Sequence, residues 1–343
     1  MATPKYPIPY VAAATFHHLT PSQNPLCYLH NKTYCGLIGC SARDERYMSA
    51  HAQEFIRINF ISAKMYGSDS LPAVLCVHGI QDNCDTFVTL LPLLPNDYHY
   101  VCIDLPGHGG SAHFPPHVPL EFVNYIGSIK WVADHFGWPE FVYLGHSFGG
   151  QLGTWFSGIY PERVRCLIVL DTMGPRSVDL DSTPVTVRKR IDSAQSLHRR
   201  QCGRQAPVYT FDEAVAKMMA GRRSKLTNES ARILARRGLI QVDGDGDRYT
   251  FASDQRLKLE FHPLMEFGQQ ERVLRNVTCP VLFVLADENT ARYSTYLKDA
   301  YEFNSKRPNV TVAVVNGDHD VHLNYPDRVF SLVTNFLQKY CKH

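Results

Sequence analysis

The sequence lacks several features that would assign it to a particular class. In a chain of 343 residues, residues 1–50 contain no apolar run long enough for a membrane span or for the hydrophobic region of a secretory signal. The whole chain contains no C-x-x-C pair, so we expect no structural zinc site or other metal centre. The formal net charge is only +2, and the overall charge therefore gives no reason to expect nucleic acid or a membrane surface as a partner.

Acidic side chains are absent before Asp44, in a segment rich in Pro, Tyr, Ser and Thr. We predict that residues 1–50 form a disordered extension. The lack of acid is typical of mitochondrial presequences, but no basic amphipathic helix accompanies it, and residues 341–343 differ from the S-K-L peroxisomal signal. We therefore predict a cytoplasmic protein, with a mitochondrial or peroxisomal location as the alternative.

The ten cysteines are spread through the chain and show no paired spacing. Cys76, Cys102 and Cys166 lie inside apolar, strand-like runs. This pattern is typical of buried free thiols in a reducing compartment.

An apolar strand that runs into a G-x-S-x-G turn is the most informative local pattern. Residues 141–144 are aromatic or aliphatic, Gly145 and Gly149 flank Ser147 at two residues on either side, and residues 151–160 continue with helical spacing. This setting is that of a nucleophile elbow, in which a strained strand-to-helix turn exposes the serine hydroxyl. We predict that Ser147 is the nucleophile of a hydrolase.

The chain around the elbow alternates apolar strands with helical patterns, which predicts a doubly wound, mostly parallel α/β sheet. The alternation stops at residues 175–276, where helical patterns at 185–201, 211–221, 227–238 and 256–268 predict an inserted cap. The core then comprises residues 51–174 and 277–343. An exposed antiparallel strand or a hairpin is expected over residues 54–65. Short helices are expected over 87–94 and 293–303 and a terminal helix over 326–340. Buried strands are expected over residues 73–77, 100–103, 166–170, 280–285 and 310–315.

A serine hydroxyl needs an imidazole base to act as a nucleophile. In this strand order the base follows the last strand, where His319 and His322 compete. We favour His319, because it lies seven residues before Pro326, a spacing usual for such hydrolases. For the oxyanion hole we predict the backbone N–H groups of Phe148 and Ile80.

Four segments together resemble the serine hydrolase-like family of the α/β-hydrolase superfamily, and the likeness extends over residues 54–340. It implies a hydrolase that needs no cofactor, with a substrate that is poorly defined across the family. As the partner we expect a small-molecule acyl substrate. The serine also distinguishes the chain from dehalogenases and epoxide hydrolases of this fold, which use an aspartate nucleophile. The segments are residues 78–83, 104–109, 145–150 and 317–322.

The expected carboxylate is missing from its usual place in the family. In most relatives the acid ends a G-E-x-D-like segment after the seventh strand, and this position is Asn289 here. Two solutions stay open: Asp171 at the end of strand six, or a shifted acid at Asp287 or Glu288. We favour Asp171, because it follows a neighbouring strand and faces the same cleft.

The sequence predicts hydrolysis of an ester, thioester or amide through an acyl-enzyme on Ser147. Carbon–carbon bond hydrolysis with the same triad is an alternative. A catalytically silent binding protein is another, and Asn289 is the residue that favours it. A basic stretch over residues 188–237 is open to two interpretations, a solvated surface or the steering of an anionic substrate.

Overall fold

The computed structural model of the protein describes residues 52–202, 205–222, 224–242, 246–259, 261–292 and 298–341. The predicted extension, residues 1–50, lies outside these residues. The strands are Ala52–Ile58 (β1), Ile61–Tyr66 (β2), Ala73–Val77 (β3), His99–Ile103 (β4), Phe141–His146 (β5), Val164–Leu170 (β6), Leu239–Gln241 (β7), Tyr249–Phe251 (β8), Val281–Ala286 (β9) and Val310–Val315 (β10).

The helices connect these strands in the predicted alternation. They are Phe122–His135 (α1), Phe148–Ile159 (α2), Thr183–Gln201 (α3), Phe211–Gly221 (α4), Asn228–Gly238 (α5), Phe267–Leu274 (α6), Asp287–Arg292 (α7), Lys298–Asn304 (α8), Val321–Asn324 (α9) and Phe330–Tyr340 (α10).

Eight strands form one sheet in the order β1-β2-β4-β3-β5-β6-β9-β10. The pairs β1–β2 and β2–β4 are antiparallel, and every later neighbouring pair is parallel. This topology confirms the predicted α/β fold class and the hairpin that opens it. The carboxyl ends of β3, β5, β6, β9 and β10 therefore lie along one edge of the sheet, where such folds carry their sites.

The central strands are apolar throughout because both faces of the sheet are covered. In β3, Leu75 and Val77 pack into a core with α1 and α2, whereas Val74 and Cys76 pack into a second core with α10. Alternate side chains of a strand point to opposite faces, so each face needs its own apolar set.

The segment predicted as the cap, residues 175–276, contains α3 to α6 and the short antiparallel pair β7–β8. Helices α4 and α5 share a small apolar cluster that includes Val215 and Leu234. Leu323 of α9 completes this cluster from outside the segment. Residues 175–276, for which the name cap is kept below, therefore pack directly against the chain that follows β10.

Some predicted helix boundaries differ from the structure. The helix expected over residues 256–268 is a 3₁₀ turn at Gln255–Lys258 followed by α6, because Pro263 cannot donate a helical hydrogen bond. The helix expected over residues 87–94 is replaced by two 3₁₀ turns, Cys84–Phe87 and Leu91–Leu93. The helix expected over residues 293–303 is described only from Lys298, and the terminal helix begins at Phe330 after a 3₁₀ turn.

The interpretation of Cys166 as a free thiol is wrong. Cys166 of β6 forms a disulfide with Cys341, which directly follows α10, and their Cα atoms lie 6.4 Å apart. Helix α10 packs on this face of the sheet and brings the two residues together, although 175 positions separate them. Cys76 and Cys102 are buried free cysteines, as the sequence predicts.

Candidate active site

Ser147 lies in the turn between β5 and α2 and has a strained backbone, with φ 50° and ψ −115°. The flanking glycines make this turn sterically feasible. A Cβ atom on Gly145 would lie 2.6 Å from the carbonyl carbon of Gly149, and one on Gly149 would lie 2.1 Å from the carbonyl oxygen of Val77. The serine is partly exposed, in contrast to the buried residues on either side.

Three side chains from distant parts of the chain form a continuous hydrogen-bonded series. His319 Nε2 lies 2.8 Å from Ser147 Oγ, and His319 Nδ1 lies 2.5 Å from Asp171 Oδ2. With the ring proton on Nδ1, the imidazole donates to the carboxylate and its Nε2 accepts from the serine hydroxyl. The structure thus brings together the three residues that the sequence proposes as nucleophile, base and acid.

Asp171 is held at the end of β6 by the neighbouring strand. Its Oδ1 accepts from the backbone N–H of Ala286 at 2.8 Å, and its own N–H donates to the carbonyl of Val284 at 2.7 Å. The carboxylate is buried and its backbone has a positive φ of 54°. These bonds fix the carboxylate toward His319.

Asn289 lies where the family's usual acid is expected, and it is buried. Its amide nitrogen donates to Asp171 Oδ2 and lies 3.1 Å from His319 Nδ1. Asp287, the alternative acid, is exposed and accepts from the backbone N–H of Gly317 and the side chain of Asn316. These bonds lower the pKa of Asp287.

The two predicted oxyanion donors lie beside the serine. Phe148 is the first residue of α2, so its N–H has no acceptor within the helix. Gly79, which precedes Ile80, would place a Cβ atom 3.2 Å from Ser147 Cβ. Ile80, Phe148 and Ser147 all line the same cleft.

The environment of His319 favours its charged form. Burial of the ring lowers its pKa, but the hydrogen bond to Asp171 and the negative charge of that carboxylate outweigh burial and raise the pKa above 6.5. The other buried histidines shift in the opposite direction. Burial lowers the pKa of His146 to about 4 and that of His322 well below its usual value.

The histidines outside this series stabilise loops. His322 is fully buried and its Nε2 pairs with Thr86 Oγ1 at 2.9 Å. His78 Nε2 accepts from the backbone N–H of Leu105 at 2.9 Å, and His108 Nδ1 lies 3.0 Å from the carbonyl of Pro106. Through these contacts His78 and His108 brace the loops that follow β3 and β4.

A buried charged cluster adjoins the site and was not predicted. Asp82, His146 and Asp320 each place a ligand atom within 4.8 Å of the others, a spacing that a metal ion could use. However, the guanidinium of Arg222 donates to both carboxylates. An arginine from the cap therefore already occupies the position of a cation. Asp320 lies within residues 317–322, one of the segments that carry the family resemblance, but no local pattern indicates its pairing with Arg222.

A cleft of about 2250 Å³ extends from Ser147 between the core and the cap. Its walls include Ile80, Phe148 and His319 near the serine, and side chains of α3 and α4 from the cap. Cavities that hold drug-sized ligands typically measure about 300–1,000 Å³. The cleft therefore has room for a substrate larger than a short-chain ester. In the described part of the chain, no helix has the length and hydropathy to cross a membrane.

Comparisons with known proteins agree with this geometry. The family model for the alpha/beta hydrolase fold matches residues 72–326. A serine hydrolase-like protein of Danio rerio is 34% identical over 282 residues, which are 81% of this chain and 85% of that protein. Serine hydrolase-like protein 2 of Homo sapiens is 30% identical over 296 residues, 82% of this chain and 91% of that protein.

A solved structure supports the same assignment. A hypothetical protein from Pseudomonas aeruginosa PAO1 superposes with a TM-score of 0.74 at 26% identity, over 85% of this chain and 100% of that protein. The fold, the family match and the curated relatives converge. The chain belongs to the α/β-hydrolase superfamily and, within it, to the serine hydrolase-like family.

Proposed function

We propose that this hydrolase cleaves an ester, thioester or amide through an acyl-enzyme formed on Ser147. The observation that carries the proposal is the continuous contact from Ser147 Oγ through His319 to Asp171, at 2.8 and 2.5 Å. Such a series lets the imidazole remove the serine proton while the carboxylate holds the correct tautomer and stabilises the imidazolium.

The reaction would proceed in two halves. Ser147 Oγ attacks the acyl carbon as His319 Nε2 takes its proton, and the N–H groups of Ile80 and Phe148 stabilise the oxyanion. The imidazolium then protonates the leaving group. In the second half, His319 activates a water molecule that releases the acyl group from Ser147.

The position of Asp171 supports an active enzyme over a silent binding protein. The silent alternative relied on Asn289 as a lost acid. Asp171 supplies a carboxylate on His319 Nδ1 from another strand, so the substitution at 289 does not leave the imidazole without an acid.

The charge of the cleft supports an acyl substrate that carries negative charge. Of its acidic lining residues, Asp82, Asp171 and Asp254 contact Arg222, His319 and Arg256 respectively. Glu121 is the fourth acidic residue of the lining. Among the described residues, basic side chains outnumber acidic ones in the rest of the lining. They include Arg199, Arg200, Lys217 and Lys258.

A matched substrate series tests the reaction class. We would measure hydrolysis of a p-nitrophenyl ester, a thioester and a p-nitroanilide of one acyl chain, with Ser147→Ala beside the wild type. A first-turnover burst of leaving group, absent from Ser147→Ala, is expected for the ester or thioester. Equal rates for the two proteins would contradict the proposal. A substrate with a hydrolysable carbon–carbon bond completes the series, and its turnover alone would select the alternative reaction.

A further inference from the structure

Arg222 connects the cap to two loops of the site. It is the first residue after α4, and its Nη1 donates to Asp320 Oδ1 and Oδ2 at 3.0 and 3.1 Å. Its Nη2 donates to Asp82. Asp320 follows His319 directly, and Asp82 lies two residues after Ile80. One guanidinium thus bridges the loops that carry the proposed base and an oxyanion donor.

The residues next to Arg222 contact the chain on both sides of His319. Ser224 Oγ donates to Asp320 Oδ2 at 2.6 Å, and the backbone N–H of Lys225 donates to Asp318 Oδ2 at 2.7 Å. Asp318 Oδ1 in turn accepts from the backbone N–H of His319 at 2.8 Å. The cap segment after α4 therefore takes part in shaping the loop that carries His319.

Burial makes this contact sensitive to the loss of Arg222. The exposed fraction of the side chain is 16% for Arg222, 2% for Asp82 and 0% for Asp320. Buried carboxylates are costly without a partner, and removal of one member of a buried pair is strongly destabilising. Without Arg222, the two carboxylates would repel each other and draw in water, which would separate the two loops.

We propose that Arg222 is a positioning residue, which fixes the His319 loop against the Ile80 loop by holding Asp320 and Asp82 together from the cap. The catalytic part of this inference rests on the proposed function, whereas the placement of His319 does not. A displacement of about 1 Å in a reacting group can cost about 10²-fold in rate. A change at Arg222 should therefore act on kcat through the placement of His319, because the guanidinium is engaged with Asp320 and Asp82.

Charged and titratable groups face His319 from several elements. Asp171 lies at the end of β6, and His146 lies at the end of β5. His322 lies in α9, and Asp320 and Arg222 are the two partners of an ion pair. The charge of Asp320 raises the pKa of His319 and that of Arg222 lowers it. Loss of Arg222 should therefore raise the pKa of His319, and loss of Asp320 should lower it.

The experiment compares Arg222→Gln, Arg222→Lys and Asp320→Asn with the wild type. The control is Arg232→Gln, because Arg232 is also a cap arginine in an ion pair, with Asp212, but lies at the surface. Each protein is checked for folding by its Tm, and the His319 imidazole is titrated by NMR, with assignment from His319→Gln. The kcat and KM for the best ester are then measured.

We expect Arg222→Gln to lower kcat by about 10²-fold with a smaller change in KM, and to raise the pKa of His319. Asp320→Asn should lower that pKa, and Arg232→Gln should leave it unchanged. If Arg222→Gln does not fold, Arg222→Lys keeps the charge without the two-pronged geometry and should still lower kcat.

Unchanged kcat and an unchanged His319 titration in folded Arg222→Gln would overturn the proposal, as would equal effects of Arg222→Gln and Arg232→Gln. The titration needs no substrate. A wild type that hydrolyses nothing would therefore contradict the proposed function alone. The His319 titration in Arg222→Lys, which keeps the positive charge, would still decide whether Arg222 positions His319, because a pKa shift there reports a displaced imidazole and an unchanged pKa contradicts the proposal.

Discussion

Asn289 donates its side-chain amide to Asp171, so the residue that stands in place of the usual acid supports the carboxylate that contacts His319. Asn289 lies on α7 after β9, and Asp171 follows the neighbouring strand β6. Both side chains approach the same edge of the His319 ring. Two adjacent strand ends thus offer equivalent positions for an acid, and this chain has the carboxylate on β6.

The acid is tested by a pair of Asp→Asn substitutions. Asp171→Asn should lower kcat by about 10⁴-fold, the loss known when a serine protease loses its orienting carboxylate, because the imidazole then adopts the wrong tautomer. Asp287→Asn should have little effect, since Asp287 caps the loop at Gly317 and does not contact His319 in the structure. Measured kcat values in the reverse order would assign the acid to Asp287.

The proximity of Asn289 to His319 predicts a rescue. In Asp171→Asn/Asn289→Asp, the carboxylate moves to the neighbouring strand end, within reach of His319 Nδ1. We expect the double variant to recover at least about tenfold of the kcat lost in Asp171→Asn, because the imidazole regains an anionic partner. Asn289→Asp alone should be less active than the wild type, since two carboxylates would then compete for one site. No gain over Asp171→Asn would show that position 289 cannot hold an acid.

The pH dependence of kcat/KM follows from the raised pKa of His319. The base acts only when neutral, so activity should fall as the pH drops through this pKa, with a midpoint above 6.5. His146 and His322 have lowered pKa values and stay neutral across this range. A profile from about pH 5 to 9 tests this, and a midpoint below the ordinary histidine pKa of about 6.5 would contradict it.

The basic cleft predicts a salt-dependent preference for anionic substrates. The kcat/KM of an acyl-CoA should fall between low and moderate salt, whereas that of a neutral ester with the same acyl chain should stay constant. Arg199→Gln/Arg200→Gln in the cleft lining should weaken this dependence. Arg188→Gln/Lys189→Gln on the same helix is the matched control, because in the described structure these residues lie outside the lining. Equal salt dependence of the two substrates would assign the basic stretch to a solvated surface.

The fold was predictable where the relevant information is local. The strand before Ser147 and the glycines around it lie within ten residues, and buried parallel strands are marked by continuous apolar runs. The position of Asp171 near His319 could also be predicted, because strand order places the ends of neighbouring parallel strands side by side. Apolar spacing misplaced a helix at residues 256–268, where Pro263 interrupts the helical hydrogen bonds.

Contacts between distant segments could not be derived in this way. Arg222 meets Asp82 and Asp320 across 140 and 98 positions, and Cys166 meets Cys341 across 175. A basic residue in a charged stretch looks like a surface residue until the packing of the cap is known. The pairing of Arg222 therefore emerged only from the three-dimensional structure.

Capture of the nucleophile tests the central proposal most directly. The wild type and Ser147→Ala would be treated with a fluorophosphonate and the modified residue located by peptide mass analysis. We expect one adduct on Ser147, none on Ser147→Ala, and nearly equal Tm values, because the hydroxyl lies in the cleft and its removal leaves the apolar core intact. Labelling of another serine in Ser147→Ala, with hydrolysis retained, would contradict the assignment of Ser147 as the nucleophile.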